Sequence, residues 1–161
     1  MGRRPKLALV QGDKSAPAPR SIEQFSTFRI TILAGNLSTG TARMLSTTYG
    51  LNLASWRTLC ILQFEGPCTP SEICLKGGID KAHMSRSRPV LEKRGLIRRI
   101  PGKTSKRYLL EITRSGTELF NTVNPAARAR EKKLLSALTE SEREIFDKCL
   151  SKLYRISMGM R

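Results

Sequence analysis

The stretch of chain between residues 76 and 107 carries the side chains that most clearly suggest a chemistry. It holds eleven Lys and Arg residues against two acids, Asp80 and Glu92, and therefore nine of the sixteen net positive charges of the 161-residue chain. Cations that neutralise DNA phosphates release condensed counterions, and this release drives association. Arg and Ser side chains on a helix can also hydrogen-bond to base edges in the major groove. The composition predicts a DNA-binding surface.

Candidate DNA contacts fall at the start of a short helix, along the helix that follows it, and in a hairpin after that. Hydroxyls and backbone N–H groups at a helix start bind phosphate, whereas the second helix of a helix-turn-helix contacts bases. The candidates are Thr69 and Ser71, then Lys81, His83, Ser85, Arg86 and Arg88, then Arg99, Lys103, Lys106 and Arg107. Arg86 is the leading candidate for contacting guanine, and its alternative role is a salt bridge within the domain. His83 is expected to contact phosphate or simply to be solvated.

These side chains need a set of short helices to position them. Apolar residues at steps of three and four predict a long first helix from about Ile22 to Tyr49, and Asn52 is a plausible N-cap for a second. Residues 69–72 combine an N-cap threonine, a proline at the first helical position and a glutamate at the third, which is typical of a capping box. Asp80 is placed to cap the fourth helix.

The fourth helix has an unusual interior. Met84, Val90 and Leu91 are expected to face the core, while the polar residues stay outside. Pro89 cannot donate a helical hydrogen bond, at a cost of roughly 3 kcal/mol in an ordinary helix interior. We therefore expect the helix to bend or shift register near Ser87, with Val90 and Leu91 taking over the core contact.

The second half of the chain predicts a hairpin and two further helices. Two short strands fit residues 97–100 and 107–112, with a charged loop between them. Thr113 should cap a fifth helix, which the pair Asn124-Pro125 should kink or split. A second capping box, Thr139 with Glu142, opens the last helix.

This order of elements predicts a mainly α fold with a small β-wing: a winged helix-turn-helix domain with N- and C-terminal dimerisation helices. We expect a disordered basic arm over residues 1–20 and an N-terminal dimerisation helix over 21–48. A winged helix-turn-helix DNA-binding lobe follows over 49–113, and C-terminal helices over 114–161 complete the dimerisation region. The terminal helices carry apolar stripes, which a second copy of the chain would cover in a homodimer.

Several function classes are disfavoured by the sequence. No apolar run approaches the roughly 20 residues of a membrane span, so we expect a cytoplasmic protein that has no contact with the membrane. One histidine, no Ser/His/Asp arrangement and no Gly-rich phosphate loop argue against an enzyme, and we expect no cofactor. The four cysteines lack the spacing of a zinc site, and we expect no bound metal. Among them, Cys68 is expected to be the most accessible.

A series of short motifs runs from about residue 45 to residue 145. They are Tyr49-Gly50-Leu51, Trp56-Arg57-x-Leu59, Gly66-Pro67, Asp80-Lys81-x-x-Met84-Ser85-Arg86, Leu91-Glu92-x-Arg94-Gly95-Leu96-Ile97-x-Arg99, Ile112-Thr113 with Gly116, and Leu138-Thr139-x-x-Glu142-Arg143. Their order and spacing resemble the multiple-antibiotic-resistance regulator (MarR) family of bacterial transcription factors. The resemblance implies a homodimer with two recognition helices in successive major grooves of a palindromic site and two wings at the flanking minor grooves.

The chain departs from the family pattern in the wing and in the recognition helix. The wing of the family usually carries Asp-x-Arg, and the corresponding positions here are Thr104 and Lys106. Lys103, Lys106 or Arg107 could supply the minor-groove charge instead. Arg88 stands where the family pattern usually has an apolar residue.

The resemblance also implies an effector pocket between the dimerisation helices and the DNA-binding lobe. Its candidate lining residues are Phe25, Phe28, Ile32, Tyr49, Trp56 and Arg57. An apolar cleft with one cation suits a small aromatic carboxylate, or its coenzyme A thioester if the cleft opens on the basic surface. Trp56 has the alternative role of a core anchor.

The sequence thus predicts a dimeric, sequence-specific regulator that binds double-stranded DNA, and specifically a repressor that a small-molecule effector releases from its operator. The alternative is a sequence-indifferent DNA-binding or chromosome-architecture protein that uses the same basic face. The two differ in whether any operator is preferred over other DNA.

Overall fold

The computed structural model describes residues 21–102 and 108–160, which form helices and one two-stranded sheet. A 3₁₀ turn at Ile22–Gln24 precedes the first helix. The helices are α1 (Ser26–Tyr49), α2 (Leu53–Glu65), α3 (Pro70–Gly77), α4 (Lys81–Lys93), α5 (Arg114–Leu135) and α6 (Glu140–Met158), and the strands are β1 (Ile97–Pro101) and β2 (Tyr108–Ile112). Within these described ranges, none of the helices combines the length and apolar character that crossing a bilayer requires. The predicted arm and the loop cations Lys103, Lys106 and Arg107 lie outside the described residues.

The chain divides into two compact units, residues 1–39 and 40–161. In the first unit, the 3₁₀ turn and the start of α1 carry large apolar side chains that are exposed, namely Ile22, Phe25, Ile30, Ile32, Leu33 and Leu37. In the second unit, α2 packs against α3, α4, α5 and β2. Its core is centred on fully buried side chains, which include Leu45, Leu59, Leu62, Ile73, Leu91, Leu110 and Val123.

The predicted helix starts are confirmed. The side chain of Asn52 accepts a hydrogen bond from the backbone N–H of Ser55, and that of Asp80 accepts one from His83. Thr113 caps α5 in the same way, and complete capping boxes open α3 at Thr69 and α6 at Thr139. These caps satisfy backbone donors that have no partner inside the helix, and they therefore fix where each helix begins.

The hairpin is antiparallel, and its register runs from Ile97 opposite Ile112 to Pro101 opposite Tyr108. Cys68 adds a third segment, because its backbone N–H and C=O both bond to Leu110, at 3.1 and 2.8 Å. The loop before α3 is therefore tied to the wing strands. Leu110, at the middle of this arrangement, is fully buried.

In α4, the predicted shift of register and the predicted burial of Val90 are wrong, whereas Met84 and Leu91 are buried as expected. The helix continues without interruption through Pro89 to Lys93, so the predicted shift of register near Ser87 does not occur. Its buried positions are Met84, Ser87 and Leu91, whereas Val90 is 50% exposed. Pro89 leaves the carbonyl of Ser85 without its helical donor. Ser85 is exposed, and water can therefore hydrate that carbonyl.

The fifth helix was predicted to kink or split at Pro125, and the split is wrong, because α5 runs unbroken from Arg114 to Leu135. Pro125 and Asn121, the residue whose carbonyl loses its partner, are both exposed. Water can hydrate this carbonyl as well, so the missing hydrogen bond does not end the helix.

Cys68 is not the most accessible cysteine. It is buried, with 6% of its surface exposed, because it pairs with β2, whereas Cys149 on α6 is exposed. Burial also raises the pKa of the thiols of Cys60, Cys68 and Cys74, and that of Cys60 reaches about 12. A thiolate is the reactive form of cysteine, so burial disfavours redox chemistry at these three positions.

Candidate DNA-binding surface

Helix α4 has two faces of opposite character. Met84, Ser87 and Leu91 follow helical spacing and are buried, in a helix that packs against α2 and α3. On its exposed side, Lys81, Ser85 and Arg86 point to solvent, and no ion pair or hydrogen bond joins their side chains to other described residues. A buried face that fixes the helix and a free polar face are what a recognition helix requires.

The start of α3 lies beside α4 and forms one wall of a shallow groove of about 250 Å³. The groove is lined by Pro70, Ser71, Cys74, Lys81, Met84, Ser85 and Arg88. Four of the predicted DNA contacts, Ser71, Lys81, Ser85 and Arg88, therefore meet on one surface. Thr69 is less available, since its hydroxyl accepts from the N–H of Glu72 at 3.2 Å and donates to the Glu72 carboxylate at 2.8 Å.

His83 is bound to the cap of its own helix. Its ring Nδ1 pairs with the carboxylate of Asp80, whose other oxygen accepts from the His83 backbone N–H at 2.8 Å. The side-chain hydrogen bond from His83 is the main cause of a lowered pKa at Asp80. Nε2 of His83 is the ring nitrogen left to face a phosphate.

Two of the predicted DNA contacts, Arg88 and Arg99, are held at the junction between α4 and the wing. Arg99 on β1 binds Glu92 on α4 through two hydrogen bonds, at 2.7 and 3.2 Å. Arg88, one turn before Glu92, donates to the phenolic oxygen of Tyr108 on β2. The guanidinium carbons lie 5.8 Å (Arg88) and 4.9 Å (Arg99) from the centre of the Tyr108 ring. We call these four residues the helix–wing cluster.

Charge and burial make Glu92 the centre of the helix–wing cluster. Its side chain is 23% exposed, and hydrogen bonding to Arg99 is the main cause that holds its pKa below the usual range. Arg88 Nε is buried 3.9 Å from Glu92 and has no hydrogen-bond partner among the described residues. The carboxylate is therefore ionised at neutral pH and shared between two guanidinium groups.

Sequence reasoning missed Glu92 and Tyr108 as functional residues. Glu92 lies four residues after Arg88, a spacing that places two side chains on one helix face. The sequence therefore indicates the proximity of Glu92 and Arg88. The contact with Arg99 depends on the turn from α4 into β1 and is not visible in the sequence. The pair Arg98 and Glu111, also an ion pair at 2.6 Å, follows from the hairpin register.

The comparisons with known proteins agree with this arrangement. A profile of the MarR family matches residues 51–109. The Bacillus subtilis protein YwoH, described as an uncharacterised HTH-type transcriptional regulator, is 25% identical over 98 residues, which cover 61% of this chain and 72% of YwoH. The crystal structure of a MarR/EmrR family transcriptional regulator from Acinetobacter sp. ADP1 matches with a TM-score of 0.77 and 27% identity, over 85% of this chain and 97% of that one.

The chain therefore contains a MarR family domain at residues 51–109. Members of the MarR family are DNA-binding transcriptional regulators and not enzymes, and this protein is a regulator of that kind. A more distant structure with the same fold is that of Bordetella bronchiseptica BpsR, whose DNA binding is regulated by 6-hydroxynicotinic acid. It has a TM-score of 0.71 and 18% identity, over 85% of this chain and 98% of BpsR.

The six effector candidates of this MarR family regulator fall in both compact units. Phe25, Phe28 and Ile32 lie in the first unit, where Phe25 and Ile32 are about half exposed. In the second unit, Trp56 is buried and stacks on Phe120 at a centroid distance of 5.4 Å, which gives it the role of a core anchor. Tyr49 packs partly buried against the same core.

Arg57 lines a pocket in the second unit. The pocket has a volume of about 210 Å³ and is lined by Leu53, Ala54, Arg57, Gly78, Ile79, Asp80 and His83. Nη1 of Arg57 donates to the carbonyls of Gly77 and Gly78, at 3.1 and 3.4 Å. The guanidinium is therefore anchored at the turn between α3 and α4, beside the cap of α4.

Proposed function

We propose that this MarR family regulator is a homodimer that binds a palindromic operator, represses transcription, and is released by a small aromatic carboxylate or its coenzyme A thioester. The observation that carries the DNA part is the two-sided character of α4. Lys81, Ser85 and Arg86 are exposed without partners in the described chain, while Met84 and Leu91 on the opposite side are buried. A fixed helix with a free basic face suits insertion into a major groove.

The homodimer is supported by α6, a helix of which no residue is buried. Its exposed apolar side chains are Ile145, Phe146, Leu150, Leu153, Tyr154 and Ile156. A helix with a wide apolar face needs another surface to cover it. In a symmetric dimer, the same face of a second copy supplies that surface. Two copies of α4 could then meet half-sites about 34 Å apart, one helical turn of DNA.

The effector class is supported by the Arg57 pocket. Leu53, Ala54 and Ile79 supply apolar walls, and Arg57 supplies one cation. Asp80 also lines the pocket, and its carboxylate is bound to the backbone N–H and the ring of His83. At about 210 Å³, the pocket is smaller than the roughly 300 Å³ at which drug-sized sites begin. It therefore suits a single aromatic ring with a carboxylate, whereas a coenzyme A thioester would have to extend outside it. BpsR, which has the same fold, is regulated by such an acid, 6-hydroxynicotinic acid.

Arg86→Ala should weaken binding to an operator in the DNA that flanks the protein's own gene by about 1 to 3 kcal/mol, or roughly 5- to 150-fold. The reason is that Arg86 is free to pair with a base. Affinity would be measured by fluorescence anisotropy against a scrambled duplex of equal length, at two salt concentrations. Lys93→Ala, which removes a cation from the last residue of the same helix, should reduce both affinities slightly and equally.

An unchanged operator affinity in Arg86→Ala would contradict the assignment of α4 as the recognition helix. Equal affinity of the unmodified protein for operator and scrambled DNA would instead favour a sequence-indifferent architectural protein, because electrostatic binding alone does not distinguish sequences.

Millimolar 6-hydroxynicotinic acid or benzoate should reduce operator affinity about tenfold, which is a coupling of about 1.4 kcal/mol. Arg57→Leu should lose this response, because the pocket then lacks its cation. Its operator affinity without acid is the reference for this variant, since the change also removes two hydrogen bonds at the turn before α4. Arg114→Leu, which replaces a side chain that is 94% exposed, should respond as the unmodified protein does. Release of Arg57→Leu at the same acid concentration would place the effector elsewhere.

A further inference from the structure

We propose that Glu92 and Tyr108 are positioning residues that hold Arg88 and Arg99 away from DNA phosphates and fix the base of the wing against the recognition helix. The inference rests on the DNA binding of the MarR family and concerns two arginines that the sequence assigned directly to DNA. In the structure, both guanidinium groups are turned toward the protein. Their role is to set geometry, and they add little to phosphate contact.

The ion pair between Glu92 and Arg99 is bidentate, which is the stronger form of arginine–carboxylate pair. Two parallel N–H···O bonds, at 2.7 and 3.2 Å, join one guanidinium to one carboxylate, and this bidentate geometry fixes the orientation better than a single contact. The Glu92 side chain is also about three-quarters covered, so solvent screens the pair less than a surface pair. The charge of Arg99, whose side chain is 52% exposed, is therefore already matched by Glu92 before DNA arrives.

Tyr108 extends the same arrangement to Arg88. The phenolic oxygen accepts a hydrogen bond from Arg88, and the ring lies within 6 Å of both guanidinium carbons, which places both cations in range of its π face. Because Arg88 stands where the family pattern has an apolar residue, its charge needs a local acceptor. Tyr108 and Glu92 are the groups that supply it.

The position of Tyr108 gives this contact a consequence for DNA reading. Tyr108 pairs with Pro101 in the last register pair before the wing loop, so the loop starts from a point tied to α4. Base contacts from α4 and minor-groove contacts from the loop must be made together. A wing base that is fixed against α4 favours the sequence that satisfies both. Free arginines at this junction would instead bind phosphate, which carries no sequence information.

The test is the salt dependence of binding to a mixed-sequence duplex of about two helical turns. In Glu92→Gln, Arg99 loses its carboxylate partner and becomes free to contact phosphate, and Arg88 loses the nearby charge but keeps its hydrogen bond to Tyr108. Each added contact steepens the slope of log affinity against log salt by about 0.9. Between 50 and 200 mM salt, affinity should then fall about 3.5-fold more than for the unmodified protein with one added contact, and about 12-fold more with two.

Glu111→Gln is the matched control. It makes the same change of net charge and breaks the neighbouring pair with Arg98, whose side chain projects from the opposite face of β1 to that of Arg99. We expect its slope to match that of the unmodified protein. Equal steepening in both variants would overturn the proposal, because a general charge effect would explain it. An unchanged or shallower slope in folded Glu92→Gln would also overturn it.

Tyr108→Phe provides a second variant in case Glu92→Gln unfolds. It keeps the ring and the ion pair and removes only the acceptor of Arg88, so one added phosphate contact is expected. A slope equal to that of the unmodified protein would overturn the role of Tyr108. If the unmodified protein itself binds neither the mixed-sequence duplex nor its operator, DNA binding fails, and the positioning role fails with it.

Discussion

Leu150→Glu is expected to convert the regulator into a monomer and to reduce its operator affinity by about 10²- to 10⁴-fold. Leu150 lies in the exposed apolar face of α6 and is 49% exposed. Fully burying a leucine side chain contributes about 1.5 to 3 kcal/mol, of which about half applies to the half-exposed Leu150. An unpaired carboxylate at the same place would oppose association, because its burial is unfavourable. A monomer binds one half-site, so the second half-site no longer benefits from a high effective concentration.

Ser151→Glu is the control for this prediction. It adds the same negative charge one residue later, on the polar face that also carries Asp147, Lys148 and Lys152. Sedimentation velocity should show a dimer for Ser151→Glu and a monomer for Leu150→Glu. In operator titrations, Ser151→Glu should bind as the unmodified protein does and Leu150→Glu should bind weakly. A dimeric Leu150→Glu, or a Ser151→Glu variant that is equally disrupted, would show that α6 does not form the interface.

The parts of the fold that were predictable from the sequence depend on interactions between near neighbours. The helix starts are the clearest case: Asn52, Thr69, Asp80, Thr113 and Thr139 each bond to a backbone N–H three residues later. Such a cap needs only a suitable side chain and the first turn of the helix. Its prediction is therefore independent of how the rest of the chain packs.

Predictions failed where the outcome depends on solvent or on distant segments. Pro89 and Pro125 were expected to disturb their helices. The carbonyls that they leave without a helical donor belong to exposed residues, and water can hydrate them. Cys68 was expected to be accessible because it precedes a helix in a loop. Its pairing with Leu110 on β2 buries it, and that pairing joins segments about forty residues apart.

In the candidate DNA-binding surface, too, the features that depend on near neighbours were predictable and those that depend on distant segments were not. The exposed positions on α4, among them Lys81, Ser85 and Arg86, follow from helical spacing alone. The different role of Arg99 does not follow from helical spacing. It depends on the angle at which β1 leaves α4, which places Arg99 beside Glu92. A residue type alone cannot distinguish an arginine that contacts DNA from one that is held by the protein.

Gly116→Ala is expected to destabilise the protein by about 3 kcal/mol, as overpacking a tight site does. In most helices a Gly to Ala change stabilises by roughly 0.5 to 1 kcal/mol, because alanine restricts the unfolded chain. Here a β-carbon would overlap the carbonyl oxygen of Leu96 and would lie 2.7 Å from Cγ1 of Ile112. The backbone carbonyl cannot move aside, since it also accepts a hydrogen bond from Thr113 at 3.1 Å.

Gly35→Ala is the matched control, because Gly35 is also a helical glycine and a β-carbon there would meet nothing within 4 Å. Thermal unfolding should show a midpoint lowered by about 6 to 12 °C for Gly116→Ala and a small rise for Gly35→Ala. Because the clash lies where α5 starts against the first residues of the wing, Gly116→Ala should also weaken operator binding below its melting temperature. A Gly116→Ala protein as stable as the unmodified one would mean that α5 and β1 do not approach this closely, and the wing would then need another anchor.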